Sequence, residues 1–176
     1  MELLHQLVPT VAVIALLVDQ AYPGETHAQM EEAQKAASVL GVRLLVLSAH
    51  TESEIETAFA TMAQERVGGL VISGGATFII QNRQVVALAA RCAIPTAYPY
   101  RESAMSGGLM SYGSGAAEIW RLAGVYAGRI LKGEKPADLP VQQTTRIELV
   151  INMKTARALG ITFPLTLLGR ADEVIE

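Results

Sequence analysis

Four short runs of aliphatic residues, each separated from the next by enough chain for a helix, restrict this sequence more than any other feature. They occupy residues 11–18, 42–47, 69–72 and 94–98. Each is nearly continuous rather than alternating, the pattern of a strand covered on both faces, as in a parallel sheet. Parallel neighbours cannot be joined by a tight turn, so a helix has to cross over between them. The intervening residues supply those helices. Residues 25–40 place Met30, Ala33, Ala37 and Leu40 on one stripe and stop at Gly41. Thr51 followed by Glu54 is a capping-box signature, opening a helix that carries Ile55, Phe59 and Met62. A third helix is expected over residues 78–91. The alternation predicts an α/β fold, a doubly wound parallel sheet with helices on its faces.

The two ends of the chain depart from that rhythm. Residues 1–7 read as the last turns of a helix, with Leu3, Leu4 and Leu7 on one side and Pro9 leading into the first strand. Residues 107–113 form a short apolar segment bracketed by glycine. An amphipathic helix follows, with Ile119, Leu122, Ala123, Tyr126 and Ile130 on one face, Gly133 ending it and Pro136 beyond. Pro140, Val141 and the alternating residues 146–151 predict extended chain. Asn152 is placed to cap a short helix over 153–159, and Pro164 to open a last one. The charges of Asp172, Glu173 and Glu176 read as a solvated helix end.

Composition narrows the class of function. A net charge of −3, with the Lys and Arg residues scattered, argues against nucleic acid as a partner, because phosphate binding needs a basic stripe. The single cysteine, Cys92, excludes an internal disulfide and a cysteine-based metal site, and reads as a small buried apolar residue. The longest apolar run, residues 11–18, is too short to span a membrane. Its flanks are too weakly basic for a signal peptide, so no export signal is expected in this sequence.

In an open α/β sheet, ligands bind in the loops after the carboxyl ends of the strands. Here those loops are residues 19–24, 48–51, 73–77 and 99–103, rich in small, hydroxyl and aromatic side chains. Such groups suit an uncharged or zwitterionic small molecule, with a carboxylate seated on backbone amides. Catalytic templates fail. Ser73-Gly74-Gly75 is not a nucleophile elbow, which needs Gly-x-Ser-x-Gly. Gly74-Gly75 lacks the Lys-Ser/Thr ending of a phosphate loop and the third glycine of a dinucleotide fingerprint. His5, His27 and His50 lie in different elements without ligand spacing and read as ordinary surface or helix-end residues. Asp19, at a strand end, reads as a helix cap or a ligand hydrogen-bonding group, with no base placed beside it by sequence. Trp120 and Tyr126 read as core or interface residues. No enzyme, metal or cofactor is expected.

The stretches 107–113 and 126–142, together with the endings 148–160 and 170–176, resemble the ABC-importer substrate-binding family that includes tryptophan/tyrosine binders. The resemblance implies a periplasmic-binding-protein type I fold, with two Rossmann-like lobes closing on a ligand. It implies that this chain is the carboxy-terminal part only. Residues 1–8 would end a preceding lobe-one helix and residues 9–112 would form the second ligand-binding lobe. Residues 113–145 would be a crossover helix and extended segment, and 146–176 a tail returning to the second lobe. By position, Tyr22, Gly75, Ala76, Thr77, Tyr98 and Tyr112 would face the cleft, with tyrosine rings stacking on a planar ligand and the amides near Gly75 taking a carboxylate. An amino acid or aromatic compound and an ABC permease are the implied partners. The family places the protein in the periplasm; a start at Met1 would leave it in the cytoplasm. The loops at 19–23 and 73–77 lack the Asn-Pro and acidic-aromatic residues usual in the family, which leaves the ligand open.

A lone second lobe would leave the apolar stripe of the 114–132 helix uncovered, which predicts a homo-oligomer through that helix. Two other readings stay open: an effector-sensing regulatory domain of the same fold, and a flavodoxin-like enzyme or electron carrier.

Overall fold

The computed structural model describes residues 1–21, 23–114, 116–141 and 147–176. Five strands, β1 (Val13–Val18), β2 (Arg43–Ser48), β3 (Gly69–Ile72), β4 (Thr96–Tyr98) and β5 (Met110–Ser114), lie parallel in the order β2-β1-β3-β4-β5. Two more extend the sheet. Strand β6 (Ile147–Asn152) pairs antiparallel with β5, and β7 (Glu173–Ile175) pairs parallel with β6. The sheet is the doubly wound α/β arrangement that the aliphatic runs require.

Residue alternation along the strands builds two cores. Ala15, Leu17, Leu70, Ile72 and Tyr98 face one side, against α3 (Glu52–Gln64), α4 (Ala76–Ile80) and α5 (Asn82–Arg91). Ile55, Phe59 and Met62 of α3 are all at most 1% exposed there. On the other side Ile14, Val71, Ala97, Met110 and Ile151 meet α1 (Glu2–Leu7) and the short helices α8 (Met153–Ala158) and α9 (Leu165–Leu168). Helix α2 (Pro23–Leu40) lies along β1 and β2, beside α1.

Local signals explain most boundaries. Thr51 accepts from the Glu54 amide while Glu54 accepts from the Thr51 amide, so the capping box is complete. Asn152 accepts from the Thr155 amide and caps α8. Two expectations are corrected. The helix expected over 78–91 is two helices that meet at Gln81. The acidic end is a strand, not a solvated helix end. Asp172 accepts from the Leu149 amide at 2.8 Å, and Glu173 pairs with Arg101, so these charges have partners that no local pattern announces.

Helix α7 (Ala116–Leu131) stands apart: none of its described side chains is buried, and Trp120 is 74% and Leu131 88% exposed. Trp120 is therefore not a core residue. Tyr126 donates its hydroxyl hydrogen to the Pro140 carbonyl, tying α7 to the segment after the 3-10 turn Pro136–Asp138.

Candidate functional site

The chain passes from β1 to β2 on one side of β1 and then crosses to β3 on the other, so the carboxyl ends of β1 and β3 form the crevice where such sheets take ligands. Asp19 stands there, directly after β1 and 2% exposed. Its Oδ1 accepts from the Ala21 amide at 3.0 Å, and its Oδ2 from the Thr77 amide at 3.2 Å. His50, after β2, brings Nδ1 to 3.2 Å from Asp19 Oδ1 and 3.1 Å from Thr77 Oγ1. Three loops far apart in sequence thus meet on one carboxylate. Gln20 adds a bond from Nε2 to Ser48 Oγ at 2.8 Å.

Gly75 lets this happen. A Cβ there would lie 2.9 Å from Asp19 Cβ and 3.0 Å from Oδ2, closer than packed atoms tolerate. Burial pushes the Asp19 carboxyl towards its neutral form, but hydrogen bonds from Ala21, Thr77 and His50 outweigh it and hold the group below its ordinary value. Asp19 is therefore an ionised acceptor at neutral pH.

The trio has the residue types of a catalytic triad but not its geometry. A relay needs the acid on one imidazole nitrogen and the hydroxyl on the other. Here both Asp19 and Thr77 face Nδ1. Thr77 is also 8% exposed, sheltered from an incoming substrate. The cluster positions groups and has no built nucleophile.

Around it lie open grooves. One of about 390 Å³ runs past Gln29, Ala33, Val71, Ser73 and Gly74. A second, about 340 Å³, reaches Met1, Pro99, Tyr112 and Arg170. A third, about 370 Å³, lies between Ile79, Tyr100 and Trp120. A methyl at Gly74 would touch Tyr100 Oη at 3.6 Å and Gln29 Nε2 at 3.8 Å, so these two side chains overhang the β3 loop. Arg101 is engaged elsewhere, with Nη2 2.5 Å from Glu173 and Nη1 3.5 Å from Glu148. Among the described residues no cluster of His, Cys, Asp or Glu suits a metal ion, and no helix is long and apolar enough to cross a membrane.

The residues singled out from sequence fall in different places. Gly75, Ala76 and Thr77 are at the crevice, with Ala76 exposed. Tyr112 is 48% exposed and lines the groove at Pro99. The ring of Tyr98 is 3% exposed and packs in the α5 core, against the space that a Cβ on Gly108 would fill. It offers no face to the crevice, and burial pushes its phenol well above the ordinary range. Tyr22 lies outside the described residues. The carboxylate expected on the amides near Gly75 is supplied by the protein itself, as Asp19. Sequence reasoning passed over His50, Tyr100 and Gln29. His50 is 31 residues from Asp19, and no local spacing links them.

A family model described as ABC transporter substrate binding protein matches residues 1–175. The chain belongs to that family. Among curated proteins no sequence matches. Among solved structures, the chain is similar to the ABC domain in complex with L-Trp from Streptococcus pneumoniae, at 28% identity and a TM-score of 0.88, over 99% of this chain. It is also similar to a conserved domain protein from Vibrio cholerae O1 biovar El Tor, at 26% identity and a TM-score of 0.85, over 98% of this chain. A ligand-free, open substrate-binding protein from Clostridium difficile with adhesive properties, CD0873, shares the fold at 20% identity and a TM-score of 0.69, over 99% of this chain. The chain spans 58% of the length of each of these three proteins.

Proposed function

We propose that this chain is a ligand-binding lobe of a solute receptor for a bacterial ABC importer, a binder without catalytic activity. The observation that carries the reading is the family match across residues 1–175, combined with the convergence of loops at the β1–β3 crevice. Small-molecule sites are concave, largely preformed, and need only a few placed polar groups, which these loops provide. The lobe is the carboxy-terminal one, residues 9–112 completed by the tail 146–176. The part of the relatives outside the match is the natural source of the opposing wall, and an ABC permease is the partner of the whole receptor. The place of action that goes with the family is the periplasm or the cell exterior.

The ligand class is amino acids or aromatic compounds, the choice favoured by the L-Trp that the Streptococcus pneumoniae protein holds. Ligand binding to the folded state stabilises it by RT ln(1 + L/Kd) at free ligand concentration L, so the melting temperature climbs with the logarithm of ligand concentration. A thermal-shift screen of the twenty amino acids and simple aromatic acids and amines, followed by calorimetry, is the test. At least one compound should raise the melting temperature progressively with its concentration and give a saturable isotherm in calorimetry. No response to any would remove the binding role from this lobe. The same reading assigns α7 a cover: copies of the chain associate through its exposed apolar side chains.

A further inference from the structure

Asp19 is an ionised carboxylate and can only accept, so the nitrogen facing its Oδ1 must carry a hydrogen. That nitrogen is Nδ1 of His50, and Thr77 Oγ1 lies on the same side. A neutral imidazole with its hydrogen fixed on Nδ1 has a bare lone pair on Nε2. Among the described residues Nε2 has no partner, and the His50 side chain is 58% exposed. A buried aspartate thus holds a solvent-facing acceptor in one orientation at the rim of the crevice.

The surroundings set what that acceptor meets. Asp19 faces His50 from β1, and Thr77 from α4. On its own loop, Glu54 of α3 accepts from the His50 amide at 2.6 Å. Arg101 is paired with two glutamates. The charged groups bonded to His50 are both carboxylates, Asp19 and Glu54, and the Thr77 amide that would have drawn an anion already holds Asp19. A second carboxylate brought here meets like charge.

We propose that His50 is a ligand-contact residue whose Nε2 accepts a hydrogen bond from an ammonium or hydroxyl group, so that this lobe takes the donor end of its ligand and not the carboxylate. Asp19 is the positioning residue behind it. The inference rests on the solute-binding reading above and names the chemistry of that site.

Long-range proton–nitrogen NMR of the histidine rings tests the arrangement without a ligand. His50 should carry its hydrogen on Nδ1, and Asp19→Asn should release it to Nε2. An Nε2–H form in the unmodified protein overturns the proposal. L-tryptophan, tryptamine and indole-3-propionate are then titrated separately. The first two should shift the His50 ring and the third should not. His50→Asn keeps a donor in place of Nδ1 but removes the rim acceptor, and should weaken tryptamine by about tenfold. An equal His50 response to indole-3-propionate overturns the donor-end assignment. Shifts at Gly74 or Tyr100 without any at His50 leave binding standing and defeat this inference alone. No shift from any of the three probes defeats both.

Discussion

Asp19 joins three groups through one carboxylate, so its removal has a calculable sign. The carboxyl is held below its ordinary value in the folded chain, and its stabilisation is therefore complete above the unfolded-state value, about 3.9. It is lost as pH falls through the folded-state value. Asp19→Asn should cost about 1–3 kcal/mol at neutral pH, because the buried Thr77 amide and the more exposed donors of Ala21 and His50 lose a charged acceptor. The gap between the two proteins should close below the acid transition, as read by chemical denaturation at a series of pH values. Thr77 and Gly75 could be placed at the crevice from sequence because they follow β3 in a stretch of small residues. His50 was not, because what marks it is a contact across three loops. Tyr98 was misplaced by parity: on a strand, neighbours point to opposite faces, and its ring falls on the α5 side.

Among the elements, the helix ends follow one rule with two exceptions in residue type. After α2, α3, α5 and α8 the chain turns through a left-handed residue, and the next amide bonds back into the helix, as Val42 to Ala37, Val67 to Met62, Ile94 to Ala89 and Ile161 to Ala156. Glycine holds that place at Gly41 and Gly160, but Arg66 and Ala93 hold it at φ of 51° and 50°. Side chains other than glycine pay a steric penalty there. Ala93→Gly should therefore stabilise the protein by about 1 kcal/mol, less the backbone freedom glycine brings to the unfolded state. A rise in the denaturation midpoint with unchanged slope would show it. Helices with glycine stops and capping residues were readable because those signals are local. Strand β7 was not, since three residues carry too little alternation and its charges are satisfied by Leu149 and Arg101. Because Arg101 is about a third exposed, Arg101→Met should cost no more than about 1 kcal/mol. It should still speed hydrogen exchange at β7 selectively.

At the scale of the whole molecule, the unburied helix α7 dominates. Trp120, Val125, Ile130 and Leu131 are all at least 40% exposed, and apolar surface of that kind is covered in stable proteins. Analytical ultracentrifugation of the chain at micromolar concentration should show a dimer or larger species, and Trp120→Glu with Leu131→Glu should return it to a monomer with the melting temperature intact. A monomer before substitution would reject the association. The aliphatic runs mark strands β1 to β4 but not their order, and β6 pairs with residues at least 33 positions away, a partnership no local pattern announces. That return has a consequence of its own. Ser114 pairs with Ile147, so the excursion carrying α7 leaves and rejoins the sheet at one rung of the ladder. It is a natural splice point. A shortened chain in which a two-residue turn links Ser114 to Ile147 should keep all seven strands, and would separate the sheet from its exposed helix.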